Sequence, residues 1–329
     1  MPDTKALFFD RQEVRSAEER EAAIFHALPG LLRHALDNVP GIAAHLGGIE
    51  PDRITSRAAL AALPTLTFQD LLDDQAGSPL GGMIATPIGR LARVLTGKRG
   101  QFLPEGARVD YWRFARAFFA AGVRRNHLVW NALPHHLGAL ASMAETGARA
   151  LSCTVVPAGP GLGTAELDTI LRLQPKVFVG MAPVLEQLLD LLGDRQPFRS
   201  ALLVGPVPDP ALLVAASARH ALETFFVYAT EEIGLIAYET SGHEGLVVDE
   251  SVILELIGTD GSHVLADGEE GAVVVTVFNP DFPLIRFITG DRARYIAGES
   301  PCGRTNRRVT PPLSDDDPTG GGATPEPVN

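Results

Sequence analysis

Apolar residues recur at two different periods along this chain, and the change of period divides it into parts. Between Glu18 and Leu36 they recur at helical spacing, and Pro29 is expected to kink or split that helix. A second series, broken by Pro64, continues the pattern. We therefore expect residues 1–80 to form a helical cap on a larger domain. The apolar members of the two series are Ile24, Leu28, Leu31, Leu32 and Leu36, then Leu60, Leu63, Leu66 and Leu71.

From about Arg93 onward, short apolar runs alternate with segments of helical periodicity. This alternation predicts strand–helix units, and therefore an α/β core with a parallel sheet over residues 81–232. The predicted strands are Leu128–Asn131, Cys153–Pro157, Val177–Gly180, Ala201–Val204 and Thr224–Tyr228. The predicted helices are Val109–Ala121, Leu137–Thr146, Ala165–Leu173, Val184–Leu192 and Asp209–Ala218.

Beyond Ile233 strand-like runs follow one another, separated by turn signals such as Asp267-Gly268 and without long helices between them. This pattern predicts an antiparallel β-rich subdomain over residues 233–309. Residues 310–329 are rich in Pro, Gly, Asp and Thr and have no apolar face, which predicts disorder. The strands of the subdomain are expected at Val252–Ile257, Gly271–Phe278, Leu284–Ile288 and Ala293–Ile296.

Composition excludes several classes of protein. Of the 329 residues, 45% are hydrophobic and 21% are charged, which is typical of a packed globular chain. A formal net charge of −12 repels nucleic acid and anionic membranes, so neither is expected as a partner. No apolar run is long enough to span a bilayer, and charges interrupt the N-terminus where a signal peptide needs apolar residues. A cytoplasmic protein is the simplest interpretation.

The strongest candidate site is Val227-Tyr228-Ala229-Thr230-Glu231-Glu232-Ile233-Gly234. It lies at the carboxyl end of a predicted parallel strand, where open α/β sheets bind ligands. Its ring can stack on a base, and its acids can hold Mg²⁺ beside phosphates. A polar strand end that leads into a turn is the alternative. The segment Thr289-Gly290-Asp291 supplies a carboxylate that can accept two hydrogen bonds from a ribose diol.

The segment Thr96-Gly97-Lys98-Arg99-Gly100 is a weaker candidate for phosphate binding. It is not a Walker A sequence, because neither Ser nor Thr follows the lysine. Backbone N–H groups and two cations could still meet phosphate oxygens here. A basic surface turn explains the same residues equally well.

Two further motifs are better explained by structure than by chemistry. The glycine-rich turn Gly159–Gly163 suits a dinucleotide-dependent oxidoreductase only in part, because Thr164 stands in place of the third glycine. A tight strand–helix turn also needs glycine there. The adjacent side chains of His135 and His136 do not converge on a metal, so a pocket wall or a structural pair is favoured.

In their order and spacing, these segments resemble the phenylacetate–CoA ligase-like branch of the adenylate-forming superfamily. The resemblance runs from Leu7 to about Arg308 and implies the large N-terminal domain of that fold, with parallel sheets flanked by helices and an appended antiparallel β-subdomain. Its blocks are Gly122-Val123 leading to Asn131, Thr154-Val155-Val156-Pro157-Ala158-Gly159, Tyr228 through Glu239, Gly271 to Asp291, and Pro301-Cys302-Gly303-Arg304-Thr305-Asn306-Arg307-Arg308.

The resemblance implies that a carboxylic acid, of aryl or arylacetic type, is activated with ATP and Mg²⁺ to an acyl-adenylate and passed to coenzyme A. Tyr228 would then stack on adenine and Asp291 would bind the ribose. Glu232 would hold Mg²⁺ and act in catalysis with Thr230. The other implied contacts are Arg304, Thr96 and Lys98 to the nucleotide, and Pro134, His135, Gly180 and Pro183 around the acyl group.

The sequence departs from the family pattern around the phosphates. The family's loop is rich in Ser, Thr and Gly, whereas Leu95–Gly100 carries Lys98 and Arg99. Glu231 takes the place of the phosphate-facing hydroxyl, so it would repel the α-phosphate unless Thr230 takes over or Glu231 turns away. Of the cysteines that hold a structural zinc in some relatives, Cys302 alone is present, so no zinc is expected.

The family also continues into a small domain that carries the adenylation lysine, whereas no lysine follows Lys176 here. The expectation is a chain that lacks this domain and whose activity is impaired by truncation. The alternative is a non-catalytic remnant that binds a nucleotide or an acyl-adenylate. A homodimer is left open.

Overall fold

The computed structural model describes residues 7–258 and 266–314. The helices are α1 (Ala17–Asn38), α2 (Pro40–Leu46), α3 (Arg57–Ala61), α4 (Phe68–Gln75), α5 (Phe114–Ala120), α6 (Ala139–Ala150), α7 (Thr164–Leu173), α8 (Ala182–Leu192) and α9 (Pro210–His220). The strands are β1 (Arg93–Thr96), β2 (Phe102–Glu105), β3 (Leu128–Asn131), β4 (Thr154–Pro157), β5 (Val177–Gly180), β6 (Ser200–Val204), β7 (Glu223–Thr230), β8 (Gly234–Tyr238), β9 (Leu246–Val248), β10 (Val252–Ile257), β11 (Glu270–Val277), β12 (Phe287–Ile296), β13 (Arg308–Val309) and β14 (Leu313–Ser314).

One large sheet joins both halves of the fold. Its strands follow the order β10-β11-β12-β13-β9-β8-β7-β6-β5-β3-β4, and β14 pairs with β12. The five strands from β4 to β7 are parallel, whereas the pairs from β7 to β10 are antiparallel. The predicted α/β fold with an appended antiparallel part is therefore confirmed. The antiparallel part continues the parallel sheet, while β1 and β2 form a separate hairpin.

The parallel strands are buried because helices cover them. All four residues of β5 are buried, and α6, α8 and α9 contact β3, β5 and β7 respectively. A strand covered on both faces reads as a continuous apolar run, which is why the sequence predicted these strands well. Removing each large side chain from water stabilises the fold by roughly 1.5–3 kcal/mol. The largest buried side chains include Trp112, Trp130, Phe118, Phe178 and Phe225.

Two predictions about the N-terminal half need correction. Helix α1 is not split at Pro29, because Leu28 and Leu32 on either side of the proline are both fully buried in the core. The helix expected from Val109 begins instead at Phe114. The backbone of Asp110 and Arg113 has positive φ, which interrupts helical geometry before that residue.

Asp110 also caps the shortened helix, since its carboxylate accepts the N–H of Ala115 at 3.1 and 3.2 Å. Burial raises the pKa of Asp110 from 3.8 to about 7, although the neighbouring N–H groups and Arg113 oppose the shift. The folded chain therefore holds this proton more tightly than the unfolded chain. The contribution of Asp110 to stability is greatest at low pH and is lost as the pH rises from about 4 to about 7.

We expect Asp110→Asn to remove this pH dependence. The amide oxygen can still accept the N–H of Ala115 but carries no charge to desolvate. Between pH 5 and pH 8 the wild-type chain should lose roughly 2 kcal/mol more unfolding free energy than the variant. Urea titrations of both proteins at the two pH values measure the difference. Parallel pH dependence in the two proteins would contradict the raised pKa.

Two predictions in the C-terminal half also need correction. The strand expected at Leu284–Ile288 is interrupted, because Arg286 has φ 50°, and β12 runs without a break from Phe287 to Ile296. The disorder expected from residue 310 does not hold for β14, which pairs with Asp291 and Arg292. Residues 315–329 of the predicted tail lie outside the described residues. Among the helices of the described chain, none is long and apolar enough to cross a membrane.

Candidate functional site

Most of the predicted site residues lie at one edge of the sheet. Strands β3, β5, β6 and β7 are parallel, so their carboxyl ends share an edge. The segment that contains Pro134 and His135 follows β3, and Gly180 ends β5 with Pro183 just beyond it. Tyr228 and Thr230 end β7. An edge of this kind is where open α/β sheets bind ligands.

A tight hairpin presents the acidic segment at this edge. Strand β7 extends beyond its parallel partner, turns at Glu231 and Glu232, and returns antiparallel as β8. The pairing of β7 with β8 shifts register between Tyr228 and Ala229. Such an irregularity bends a strand locally, here just before the turn. Gly234 has φ 80°, and a Cβ there would lie 3.0 Å from Trp112, so the turn requires glycine.

The two predicted nucleotide residues are joined by a hydrogen bond. The hydroxyl of Tyr228 donates to Oδ2 of Asp291 at 2.7 Å and lies 3.2 Å from Oγ1 of Thr289. Tyr228 is 4% exposed, and burial together with the charge of Asp291 raises the pKa of the phenol well above 10. The ring therefore stays neutral and fixed against β12. The backbone N–H of Asp291 in turn donates to Oγ1 of Thr289 at 3.1 Å, and Gly290 supplies the left-handed turn between them.

The acids of the β7–β8 turn contact the hairpin of β1 and β2. Glu231 accepts the backbone N–H of Lys98 at 2.8 Å, and Glu232 accepts Nε2 of Gln101 at 2.6 Å. Burial raises the pKa of Glu232, and the charge of Glu231 adds to the shift. Thr230 accepts the N–H of Ile233 at 3.2 Å and also hydrogen-bonds to Glu232. The carboxylate of Glu231 therefore points toward the turn of the β1–β2 hairpin.

The predicted acyl-pocket residues are positioned by their strands. Thr96 donates its backbone N–H to the carbonyl of Leu137 at 2.9 Å, which ties the β1–β2 hairpin to the segment of Pro134 and His135. A Cβ on Gly180 would lie 2.6 Å from the Phe178 ring, so glycine is required at this strand end. His135 and Pro183 are exposed. The structure thus brings Thr96 and the acyl-side residues to the same edge as Tyr228.

Sequence reasoning missed two residues that hold this hairpin. Gln101 is 2% exposed, and its side chain lies over Gly97, where a Cβ would be 1.9 Å from Nε2. Glu105 is also 2% exposed, and it accepts the indole N–H of Trp112 at 2.8 Å, the Ser142 hydroxyl and the Arg93 guanidinium. A lone glutamate at the end of the short apolar run Phe102–Glu105 is the available sequence signal, because a buried charge needs partners.

Arg304 does not reach this edge. It is 5% exposed, and its Nε lies 3.0 Å from Oε2 of Glu13. The hydroxyl of Tyr238 donates to the same carboxylate at 3.0 Å. Tyr228 pairs with Ala237, so the adjacent Tyr238 points to the opposite face of the sheet. Arg304 is therefore placed with the N-terminal segment and not with Tyr228 and Asp291.

The thiol of Cys302 takes part in a local set of hydrogen bonds. Its thiol lies 3.0 Å from the Ser300 hydroxyl, and it accepts Nη1 of Arg304 at 3.6 Å. The pKa of the Cys302 thiol is lowered. Burial raises this pKa, but the hydrogen bonds from Ser300, Thr240 and Arg304 together lower it by more. Within residues 7–258 and 266–314, no group of three or more His, Cys, Asp or Glu side chains is arranged to hold a metal.

The glycine-rich turn after β4 folds back on the sheet. The N–H groups of Ala158 and Gly159 both donate to the carbonyl of Asn131 at 3.0 Å. The carboxylate of Glu166 lies against Gly161 and Gly163, where added Cβ atoms would meet it at 3.0 and 2.8 Å. A carboxylate at this position repels a pyrophosphate, which disfavours the dinucleotide hypothesis.

In sequence, the chain is similar to phenylacetate–coenzyme A ligases. No family model matches the chain. A phenylacetate–coenzyme A ligase of Aromatoleum evansii is 29% identical over 320 residues, covering 90% of this chain and 70% of that protein. A phenylacetate–coenzyme A ligase of Pseudomonas putida is 26% identical, covering 93% and 73% respectively.

Solved structures show the same fold. A 2-hydroxyisobutyryl-CoA ligase in complex with 2-HIB-AMP and CoA superimposes with a TM-score of 0.88 at 21% identity, covering 94% of this chain and 78% of that one. A benzoate CoA ligase from Burkholderia xenovorans gives a TM-score of 0.53 at 14% identity, covering 69% and 49%. The resemblance to the phenylacetate–CoA ligase-like branch of the adenylate-forming superfamily is confirmed.

Proposed function

We propose that this homologue of phenylacetate–coenzyme A ligases binds an adenine nucleotide at Tyr228 and Asp291. It would activate a carboxylic acid there as an acyl-adenylate for transfer to coenzyme A. The observation that supports the proposal is the 2.7 Å hydrogen bond between these two side chains, which lie on different parts of the sheet. This bond supports the proposal because it holds an aromatic ring and a carboxylate together near the carboxyl ends of the parallel strands, where open α/β sheets bind ligands.

The chemistry of the two side chains suits a nucleoside. In the proposed complex the ring of Tyr228 would present an apolar face to a base, and its hydroxyl is already bonded to Asp291. The carboxylate of Asp291 can accept hydrogen bonds from ribose hydroxyls. Both side chains are tied to the sheet, so little conformational entropy is lost when a ligand binds.

Glu232 is the residue that would hold Mg²⁺. Magnesium is usually bound through one or two carboxylates together with substrate phosphates, which agrees with a site that has no larger cluster of acids among its described residues. When bound, the ion would neutralise charge on the phosphates. Gln101 and Thr230 hydrogen-bond to Glu232 and thereby fix the orientation of its carboxylate before an ion binds.

The acyl group would lie along the neighbouring strand ends. Pro134 and His135 follow β3, and Gly180 and Pro183 stand at the end of β5. These residues would form an apolar wall for an aryl or arylacetic acid, with the carboxylate directed toward Thr230. Attack by that carboxylate on the α-phosphate would release pyrophosphate, and the role of the site is to align the two groups.

We expect exchange of labelled pyrophosphate into ATP that depends on an added acid. Phenylacetate, benzoate and 2-hydroxyisobutyrate cover the acids named for the similar proteins. Glu232→Gln should lower the exchange rate by roughly a hundredfold, because an ion at the phosphates loses its charged ligand. Glu223→Gln provides the control, because Glu223 is exposed at the start of β7, the strand that leads to the Glu232 turn. Exchange that is equal in Glu232→Gln and wild type would contradict the assigned role.

A non-catalytic protein that binds a nucleotide or acyl-adenylate is the second candidate. It is favoured by the contact between Glu231 and the N–H of Lys98, which occupies a donor of the candidate phosphate loop. This alternative predicts nucleotide binding with exchange at background for every acid. Acid-dependent exchange would exclude it.

A further inference from the structure

In the turn of the β1–β2 hairpin, the four backbone N–H groups from Gly97 to Gly100 all have acceptors. Gly97 donates to the carbonyl of Gln101 at 2.8 Å, and Gly100 donates to the carbonyl of Gly97 at 3.0 Å. Arg99 donates to the side-chain oxygen of Gln101 at 3.2 Å. Lys98 donates to Glu231 at 2.8 Å. A phosphate that bound this turn through a backbone N–H would have to displace one of these acceptors.

Three of the four acceptors are fixed within the hairpin. Two are backbone carbonyls, and the third belongs to Gln101, which is 2% exposed and is held by Glu232 at 2.6 Å. Glu231 differs because it belongs to another element, keeps partial exposure and meets Lys98 at the surface. A surface hydrogen bond of this kind exchanges readily with other acceptors. The Lys98 N–H is therefore the donor most easily taken by a phosphate oxygen.

We propose that Glu231 is a specificity-determining residue, whose carboxylate occupies the Lys98 N–H and disfavours polyphosphates relative to acyl-adenylates. The inference rests on the nucleotide site proposed above. A triphosphate near this turn must displace one negative group and remain beside it, so like charges oppose its binding. An acyl-adenylate carries a single phosphate charge and can leave the contact in place. The site would thus retain the activated acid more tightly than ATP.

Calorimetric titration with two ligands tests this inference. The ligands are Mg-ATP and a non-hydrolysable acyl-sulfamoyl adenosine, which carries one negative charge at the phosphate position. Glu231→Ala should bind Mg-ATP about tenfold more tightly than wild type, which corresponds to one lost charge contact. Affinity for the sulfamoyl analogue should change less than about twofold. Glu231→Gln keeps an acceptor for Lys98 without the charge, so it should fall between wild type and Glu231→Ala.

Glu166→Gln is the matched control, because Glu166 lies at the start of α7 after β4, the outermost parallel strand of the same sheet. A local role for Glu231 predicts that this control leaves the ratio of the two affinities unchanged. Equal changes for both ligands in Glu231→Ala, or no change, would overturn the specificity role while leaving the nucleotide site intact. Absence of binding by either ligand in every protein, with folded circular dichroism spectra, would overturn the proposed function itself.

Discussion

Replacing Glu13 by alanine is expected to lower the free energy of unfolding by about 3–5 kcal/mol. The Glu13 side chain is fully buried. It accepts hydrogen bonds from Nη1 of Arg116 at 3.1 Å and the hydroxyl of Tyr238 at 3.0 Å, and it forms an ion pair with Arg304, whose Nε lies 3.0 Å away. The alanine variant would leave two buried guanidinium groups short of one negative partner.

The environment of Glu13 explains why the loss should be large. Arg304 is 5% exposed, and burial of its guanidinium without a carboxylate would cost more than the contact itself contributes. Arg116 keeps Asp10 as a second partner at 2.7 Å, which limits its share of the loss. The backbone N–H of Phe9 also loses its acceptor, at 3.0 Å. This carboxylate is thus one of the groups that attach the N-terminal segment to α5 and the sheet, together with Asp10.

Urea denaturation followed by circular dichroism measures the effect. Glu18→Ala is the control, since Glu18 is exposed in the first turn of α1 and should change stability by less than about 0.5 kcal/mol. Glu13→Gln keeps the size and one acceptor, so it should lie between the two. If the free energy of unfolding of Glu13→Ala lies within about 1 kcal/mol of the wild-type value, the guanidinium groups of Arg116 and Arg304 are solvated and not buried without a partner.

Asp291→Ala is expected to weaken the binding of an adenine nucleotide by roughly a hundredfold. Two hydrogen bonds to a charged acceptor contribute about 1.5–3 kcal/mol each, and the variant would lose both ribose contacts. The hydroxyl of Tyr228 would also lose its partner at 2.7 Å, which frees the ring to move. Titration of AMP measures the change.

Asp267→Ala provides the comparison for Asp291→Ala. Asp267 is an exposed aspartate that pairs with Arg307 at 2.7 Å and lies away from the sheet edge. Its removal should leave AMP affinity unchanged. Unchanged AMP affinity in a folded Asp291→Ala protein would mean that this carboxylate does not bind the ribose.

The sequence predicted best where a single property decided the local structure. Strands β3, β5, β6 and β7 were placed within two residues at each end, because strands buried on both faces are continuous apolar runs. The hairpin of β1 and β2 escaped prediction for the opposite reason. Its first strand is largely exposed, and only Leu95 of its residues is buried.

Features that depend on distant partners could not be predicted. Arg286 breaks a run of apolar residues because its guanidinium is buried against Glu255 at 3.1 Å and the carbonyls of Ala61 and Leu63. Arg304 was assigned to the nucleotide from its motif, yet its position follows from Glu13 at the far end of the chain. Local pattern carries no information about such pairings.

In the candidate site, too, some features follow from local sequence pattern and others depend on distant partners. The sequence pattern predicts Tyr228 near a strand end and Glu232 in the turn after it, whereas Asp291 lies inside β12 and not on a turn after a strand. The direction of Glu231 could not be predicted, because it depends on the N–H of Lys98 in a hairpin that the sequence did not reveal. The sequence predicts that Glu231 would repel an α-phosphate unless its carboxylate points elsewhere. In the structure this carboxylate accepts the N–H of Lys98.

Calorimetric titration of the purified chain with acyl-sulfamoyl adenosine tests the nucleotide site most directly. If Tyr228 and Asp291 form the nucleotide site, the analogue should bind saturably at one site. Asp291→Ala should weaken this binding by roughly a hundredfold, and Asp267→Ala should leave it unchanged. Absence of binding to the folded wild-type chain at millimolar analogue, or equal binding by wild type and Asp291→Ala, would contradict this assignment.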